Sequence, residues 1–346
     1  MRSIFRSLFV IGWLLAASSA RADAVIASIK PVSLIAAELL DGVVEVETLL
    51  PDGASPHDFS LRPSDRRTID GARLIIWVGP ETEPYLQRVI AAADVPQITW
   101  QESEAEHAEH TKDHTAGRSD KHDHDHGHGD SHGNEDNHSD SHGHEASHED
   151  SHQDGHRDSH EDTHKAEMDS HDAHEHGDIH PWLSPESAEH FAERLAQKLR
   201  EIFPLQASKI EENERRFIEN LATFNTDARQ QLAAVQSTGF FVFHDAYQGL
   251  VEHFELNQVG YFMLDPSRKP GAKHLNQLRQ QLEQSAASCV FVEPQFAPAL
   301  IDSITRGLDI RRGELDPLAS GITPATGSYL EFMKGLVDQF NRCLAP

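Results

Sequence analysis

Thiols are almost absent from this chain: Cys289 and Cys343 are the only cysteines among 346 residues. No second Cys stands near either one, which argues against a thiolate zinc module, because such sites use closely spaced pairs. In an oxidising compartment an even pair suggests one disulfide, here between the strand-like CVFVEP segment and the C-terminal helical pattern. Long apolar runs are missing too. The stretch Leu8 to Ala17 is too short for the ~20 residues that span a bilayer, and no later segment approaches that length. Basic residues are scarce, 30 against 57 acidic, and the formal net charge of −27 makes nucleic acid an unsuitable partner. H-E-x-x-H spacing occurs at His144–His148, His148–His152 and His160–His164, and G-x-S-x-G at Gly129–Gly133, but all lie in one polar, His-rich stretch whose sequence offers neither the apolar helix nor the strand that such hydrolase motifs require.

What is abundant is histidine, and it is concentrated. Nineteen of the 25 histidines lie between His107 and His176, and residues 101–178 carry 24 Asp and Glu against 5 Lys and Arg. His144, His148, His152, His156, His160 and His164 recur every four residues with no apolar side chain larger than Ala between them. Such a segment offers nothing to bury against the entropy of ordering it, so a disordered insert at 101–178 is expected. Its use must be chemical. Imidazoles among carboxylates attract cations, and His124, His126, His128, His144, His148, His152, His156, His174 and His176 are candidate weak metal ligands.

The N-terminus has Arg2 and Arg6, an apolar stretch, and an A-x-A site at Ala20 to Ala22. This reads as a cleavable export signal over residues 1–22 and places the mature protein outside the cytoplasm.

On both sides of the insert, short apolar runs alternate with helical periodicity. Val25–Ile29, Val44–Leu50, Leu74–Val78 and Gln97–Trp100 read as strands, with helices at Val32–Leu40, Pro63–Asp70 and Pro84–Ala92. After the insert come helices at Ser187–Phe203 and from Gln206 to Gln236. Strand-like runs then resume at Gly239–Phe243, Gln258–Met263, Val290–Glu293 and Leu308–Arg311. Strand alternating with helix argues parallel sheets. The fold class is therefore α/β in two lobes, 23–205 and 237–346, and the long charged helix at 206–236 suits a connection between them.

Six histidines lie outside the insert. His190, His253 and His274 fall on helical segments and read as structural. His57 in ASPHDFSLRPSD follows a strand in a Pro/Gly/Ser loop. His180 in DIHPWLSP sits where the insert rejoins ordered sequence, and His244 in GFFVFHDAY ends a strand. All three occupy positions where open α/β sheets bind ligands. Three imidazoles completed by a carboxylate or water make a favoured tetrahedral zinc arrangement. Asp316 in GELDPLAS is the candidate for the fourth position. Asp245 and Glu293 read as structural rather than as catalytic bases.

ASPHDFSLRPSD, DIHPWLSPE, FFVFHDAYQGL, CVFVEPQF and ELDPLA, in this order, resemble the ZnuA-type periplasmic zinc receptors of bacterial high-affinity zinc ABC transporters, in a receptor family that also includes manganese binders. The resemblance covers the whole mature chain. It implies two pseudo-symmetric α/β lobes joined by one rigid helix, and zinc in the cleft on His57, His180 and His244. It also implies delivery to an inner-membrane ABC permease by a monomer. Asp316 falls where manganese-binding relatives supply a carboxylate, but those relatives replace the third His by Glu, whereas His244 is kept here. Imidazole suits zinc, and manganese prefers oxygen. The alternatives are a receptor for manganese or another divalent metal, and a periplasmic zinc buffer. For the insert, a collector that hands metal on through His174 and His176 competes with an independent buffer and with a dispensable solvated tail.

Overall fold

The computed structural model describes residues 24–101, 179–263, 271–296 and 299–346. The export signal and the nine auxiliary histidines fall outside them. The first lobe opens β1 (Val25–Ala27), α1 (Lys30–Leu39), β2 (Val46–Thr48), α2 (Pro63–Asp70), β3 (Leu74–Trp77), α3 (Pro84–Ala91) and β4 (Gln97–Thr99). After residue 179 follow α4 (Pro185–Ile202) and α5 (Ala207–Leu232). The second lobe then runs β5 (Gly239–His244), α6 (Gln248–His253), β6 (Gln258–Met263), α7 (Ala272–Gln284), β7 (Ala287–Val292), α8 (Ala299–Thr305), β8 (Arg311–Glu314) and α9 (Ser328–Leu344).

Both sheets are parallel, and their strand orders are β2-β1-β3-β4 and β6-β5-β7-β8. The two lobes therefore share one topology. In each, the chain leaves the first strand toward one edge and returns on the other side of it, so a crevice opens at the carboxyl ends of β1/β3 and of β5/β7. β1, β3 and β5 are buried throughout, as expected of strands covered by helices on both faces.

The 26-residue α5 is polar on most of its surface, but Ile210, Asn213, Phe217, Leu221, Phe224, Ala228 and Leu232 are buried. Steps of three and four put them on one stripe. A single continuous core holds that stripe together with Val25, Leu34 and Leu39 of the first lobe and Phe240, Phe291 and Phe340 of the second. The helix is thus packed into both lobes rather than strung between them. Arg200 pairs with Glu214, closing the α4–α5 hairpin, and Asn213 Nδ2 donates to the carbonyls of Leu39 and Asp41.

Cys289 and Cys343 form the expected disulfide, with Cα atoms 6.0 Å apart, and fasten α9 to β7. One sequence boundary is corrected. The last strand is Arg311–Glu314 and not Leu308–Arg311, because Gly307, at φ +80°, and the bond from Leu308 N–H to Thr305 O make 305–308 a turn. Leu308 and Ile310 are apolar because they pack on the second lobe's smaller core. Among the described residues no helix is long and apolar enough to cross a membrane.

Candidate metal centre

Three irregular segments meet between the lobes. His57 lies in the loop between β2 and α2. Pro56 precedes it, and its backbone N–H donates to Ser55 Oγ at 3.3 Å. The loop's far end is fixed where Arg62 N–H donates to Asp65 Oδ2 at 2.7 Å, in the capping box of α2.

His180 is held from several sides. Pro181 follows it, which disfavours helical backbone at His180 and starts the helical turn Pro181–Leu183. Ser184 then caps α4, accepting from Ser187 N–H. Trp182, fully buried, donates through Nε1 to Pro317 O at 2.7 Å, and Tyr329 Oη donates to Trp182 O at 2.9 Å. Both of these bonds join the His180 segment to the second lobe.

His244 is the last residue of β5, and Glu293 follows the end of the neighbouring β7. Their side chains meet at the second lobe's crevice, where His244 Nδ1 is 2.7 Å from Glu293 Oε1. Tyr247 Oη donates to the same carboxylate at 3.4 Å and to Leu315 O at 3.3 Å. Burial raises the Glu293 carboxyl above its usual range, while His244 and Tyr247 pull it back. With Nδ1–H donated to the carboxylate, the lone pair of His244 is left on Nε2, the tautomer a metal ligand needs.

The three imidazoles converge on that side. His57 Nε2 is 3.3 Å from His180 Nε2, which is 3.3 Å from His244 Nε2, and one ligand nitrogen from each ring lies within 4.8 Å of the others. Nitrogens bound to one tetrahedral zinc at ~2.0 to 2.1 Å stand ~3.3 to 3.4 Å apart. The donor set and its spacing therefore fit one zinc ion. His180 and His244 are each 3% exposed, whereas His57 is half-buried and forms the solvent side of the site. Burial, then the neighbouring His244 and His57, push the His180 pKa well below 6.5, so its nitrogen is unprotonated at neutral pH. Pro56, Phe296, Pro317 and Leu318 line the rest of the pocket with Glu293 and Gln295.

Asp316 is not brought into this group. Its carboxylate accepts from the backbone N–H of Leu318 at 3.0 Å, from Ser320 N–H and from Gln295 Nε2, and it shapes the turn that places Pro317 and Leu318. His190, His253 and His274 lie on α4, α6 and α7, also outside the group. Glu293 is the site residue whose contact sequence reasoning missed. Its signal was present, since an acidic residue after VFV occupies the same strand-end position as His244 after FVF.

A family model described as "Zinc-uptake complex component A periplasmic" matches residues 25–343. The chain is 37% identical to the Yersinia pestis high-affinity zinc uptake system protein ZnuA over 93% of this chain and 91% of that one. It is 38% identical to the protein of the same name from Haemophilus influenzae, over 94% of each. The fold is similar to that of a zinc-bound ZnuA deletion mutant, with TM-score 0.65 at 18% identity over 94% of this chain and 99% of the other.

Proposed function

The chain belongs to the family of periplasmic A components of zinc-uptake complexes, and from that premise we propose that His57, His180 and His244 are the ligands with which it captures Zn(II). It is a periplasmic solute-binding protein that supplies an ABC permease for zinc import, not an enzyme. The observation that carries the ligand assignment is the pair of 3.3 Å spacings between Nε2 atoms, which match the edge of a zinc–nitrogen tetrahedron. Manganese is disfavoured because the group contains three nitrogens and no carboxylate oxygen. In this reading, water takes the fourth position ahead of Asp316, whose oxygens are already engaged.

We read the protein as an exported monomer with no nucleic-acid partner, in which zinc is cargo. His124, His126, His128, His144, His148, His152, His156, His174 and His176 are auxiliary, weaker donors, and a collector that hands metal on competes with an independent buffer and a dispensable tail. Metal analysis of the protein isolated from the periplasm, with residues 102–177 deleted, tests the main claim. Zinc near one equivalent supports it. Manganese in its place, or zinc that persists when all three histidines are replaced by Ala, would sink it.

A further inference from the structure

The first lobe has its own crevice, between the ends of β1 and β3, and among the described residues no histidine is bonded there. A carboxylate is. Glu83, 0% exposed, accepts from Ser28 Oγ at 3.0 Å just past β1 and from Val78 N–H at 2.7 Å just past β3. Its other oxygen accepts from Tyr85 Oη at 3.3 Å. Glu293, just past β7, takes a similar place in the crevice of the second lobe, behind His244.

The segment that carries Glu83 turns sharply. Gly79 has φ +143°, a backbone conformation that L side chains rarely adopt, so the turn favours glycine there. Glu83 N–H then closes the turn on Gly79 O at 2.9 Å. From this loop two contacts reach out. Thr82, 1% exposed, donates through Oγ1 to Ile179 O at 2.7 Å, and Ile179 is the residue before His180. The Tyr85 ring packs edge-on against Phe59, 5.5 Å between centroids, two residues beyond His57.

We propose that Glu83 is a positioning residue for the metal centre: its buried carboxylate holds the segment 79–85 in the shape that sets the His180 and His57 segments at the separation one zinc ion requires. This rests on the zinc reading above. Burying a carboxylate whose hydrogen-bond partners Ser28, Val78 and Tyr85 carry no positive charge is costly, and a plain staple between β1 and β3 could use an uncharged group. A metal site tolerates errors of only about half an ångström in its ligands, which gives such a rigid support a purpose.

The test uses the full-length mature protein carrying Glu83→Gln, or Thr82→Val, which removes the bond to Ile179 without touching Glu83. Asn213→Ala is the control, a buried polar deletion in α5 that does not contact the loop. Zinc affinity is read by chelator competition, and coordination geometry by the visible spectrum of the cobalt(II) form. Both loop variants are expected to lose about 10-fold in zinc affinity and to change the cobalt spectrum. The control is expected to lose thermal stability and keep both readouts. If Glu83→Gln does not fold, Thr82→Val decides. Wild-type affinity and spectrum in the loop variants, or an equal loss in the control, overturns the brace alone. A wild-type protein that takes up no zinc overturns the zinc reading and the brace with it.

Discussion

His244 and Glu293 end neighbouring strands of one sheet and meet 2.7 Å apart, Nδ1 to Oε1, both almost fully buried. Removing the carboxylate leaves a candidate ligand with its ring free to turn and its tautomer unset. Glu293→Ala is expected to weaken zinc binding about 10- to 100-fold, as loss of such a supporting carboxylate generally does. Glu293→Gln keeps an acceptor and is expected to lose less. Competition titration of both variants checks the order.

Replacing His57, His180 or His244 by Ala removes a direct donor. Structural zinc sites bind with ~10 to 16 kcal/mol shared over four ligands, so each change is expected to lower affinity at least about 100-fold. Asp316→Ala is expected to cost less zinc affinity than any of the three. Its larger effect is on stability, because three hydrogen-bond donors lose their acceptor. Thermal unfolding of the apo protein beside zinc titration separates the two effects, and a greater zinc loss for Asp316→Ala than for His180→Ala would reverse the ranking.

Zinc affinity is expected to fall as pH drops through the ordinary imidazole range near ~6.5, since every ligand must shed its proton. His180 is not the residue that starts the decline, because burial holds its pKa well below that value. The insert's metal is expected to leave first, as imidazoles among carboxylates are stabilised as cations. Zinc release followed from pH 8 to pH 5, in the parent and in the deletion lacking 102–177, checks the sequence of events.

Burial raises the Glu83 carboxyl to about 7 against an unfolded value of 4.5, with hydrogen bonds from Ser28 and Val78 opposing the rise. The folded state therefore holds the proton where the unfolded state has lost it. Its stability contribution is fully present below pH 4.5 and is lost as pH rises to about 7. Relative to Glu83→Gln, the apo wild type is expected to lose about 3 kcal/mol as pH rises from 4.5 through about 7. Urea unfolding at pH 5, 6, 7 and 8 measures the difference.

Deleting residues 102–177 removes 23 acidic and 5 basic residues with the whole histidine tract. The cleft is expected to keep its zinc while total capacity drops by several ions, and metal capture slows most at low ionic strength. Calorimetric stoichiometry and stopped-flow uptake check this. A deletion strain that acquires zinc under chelator as fast as its parent would leave the tract a buffer or a dispensable tail.

Local pattern was enough for much of this protein. The order of strands and helices, the length and charge of α5 and the composition of the insert are properties of neighbouring residues, so they are legible in one dimension, and the cysteine pair was legible because the chain has no other thiol. His57, His180 and His244 were legible as candidates because each stands at a strand end or loop mouth, where α/β sheets place ligands.

Their meeting was another matter. His57 and His180 are separated by 123 residues and His180 and His244 by 64, and no periodicity spans such gaps. Only the packing of two like sheets against one shared helix decides that their Nε2 atoms face one another. Tertiary structure alone also gave Glu293 to His244, turned Asp316 toward the amides of Leu318 and Ser320, and put Glu83 into the crevice of the first lobe. Hydrophobic periodicity reports which face of an element is buried, while a ligand set depends on distances between elements, which only the assembled core determines.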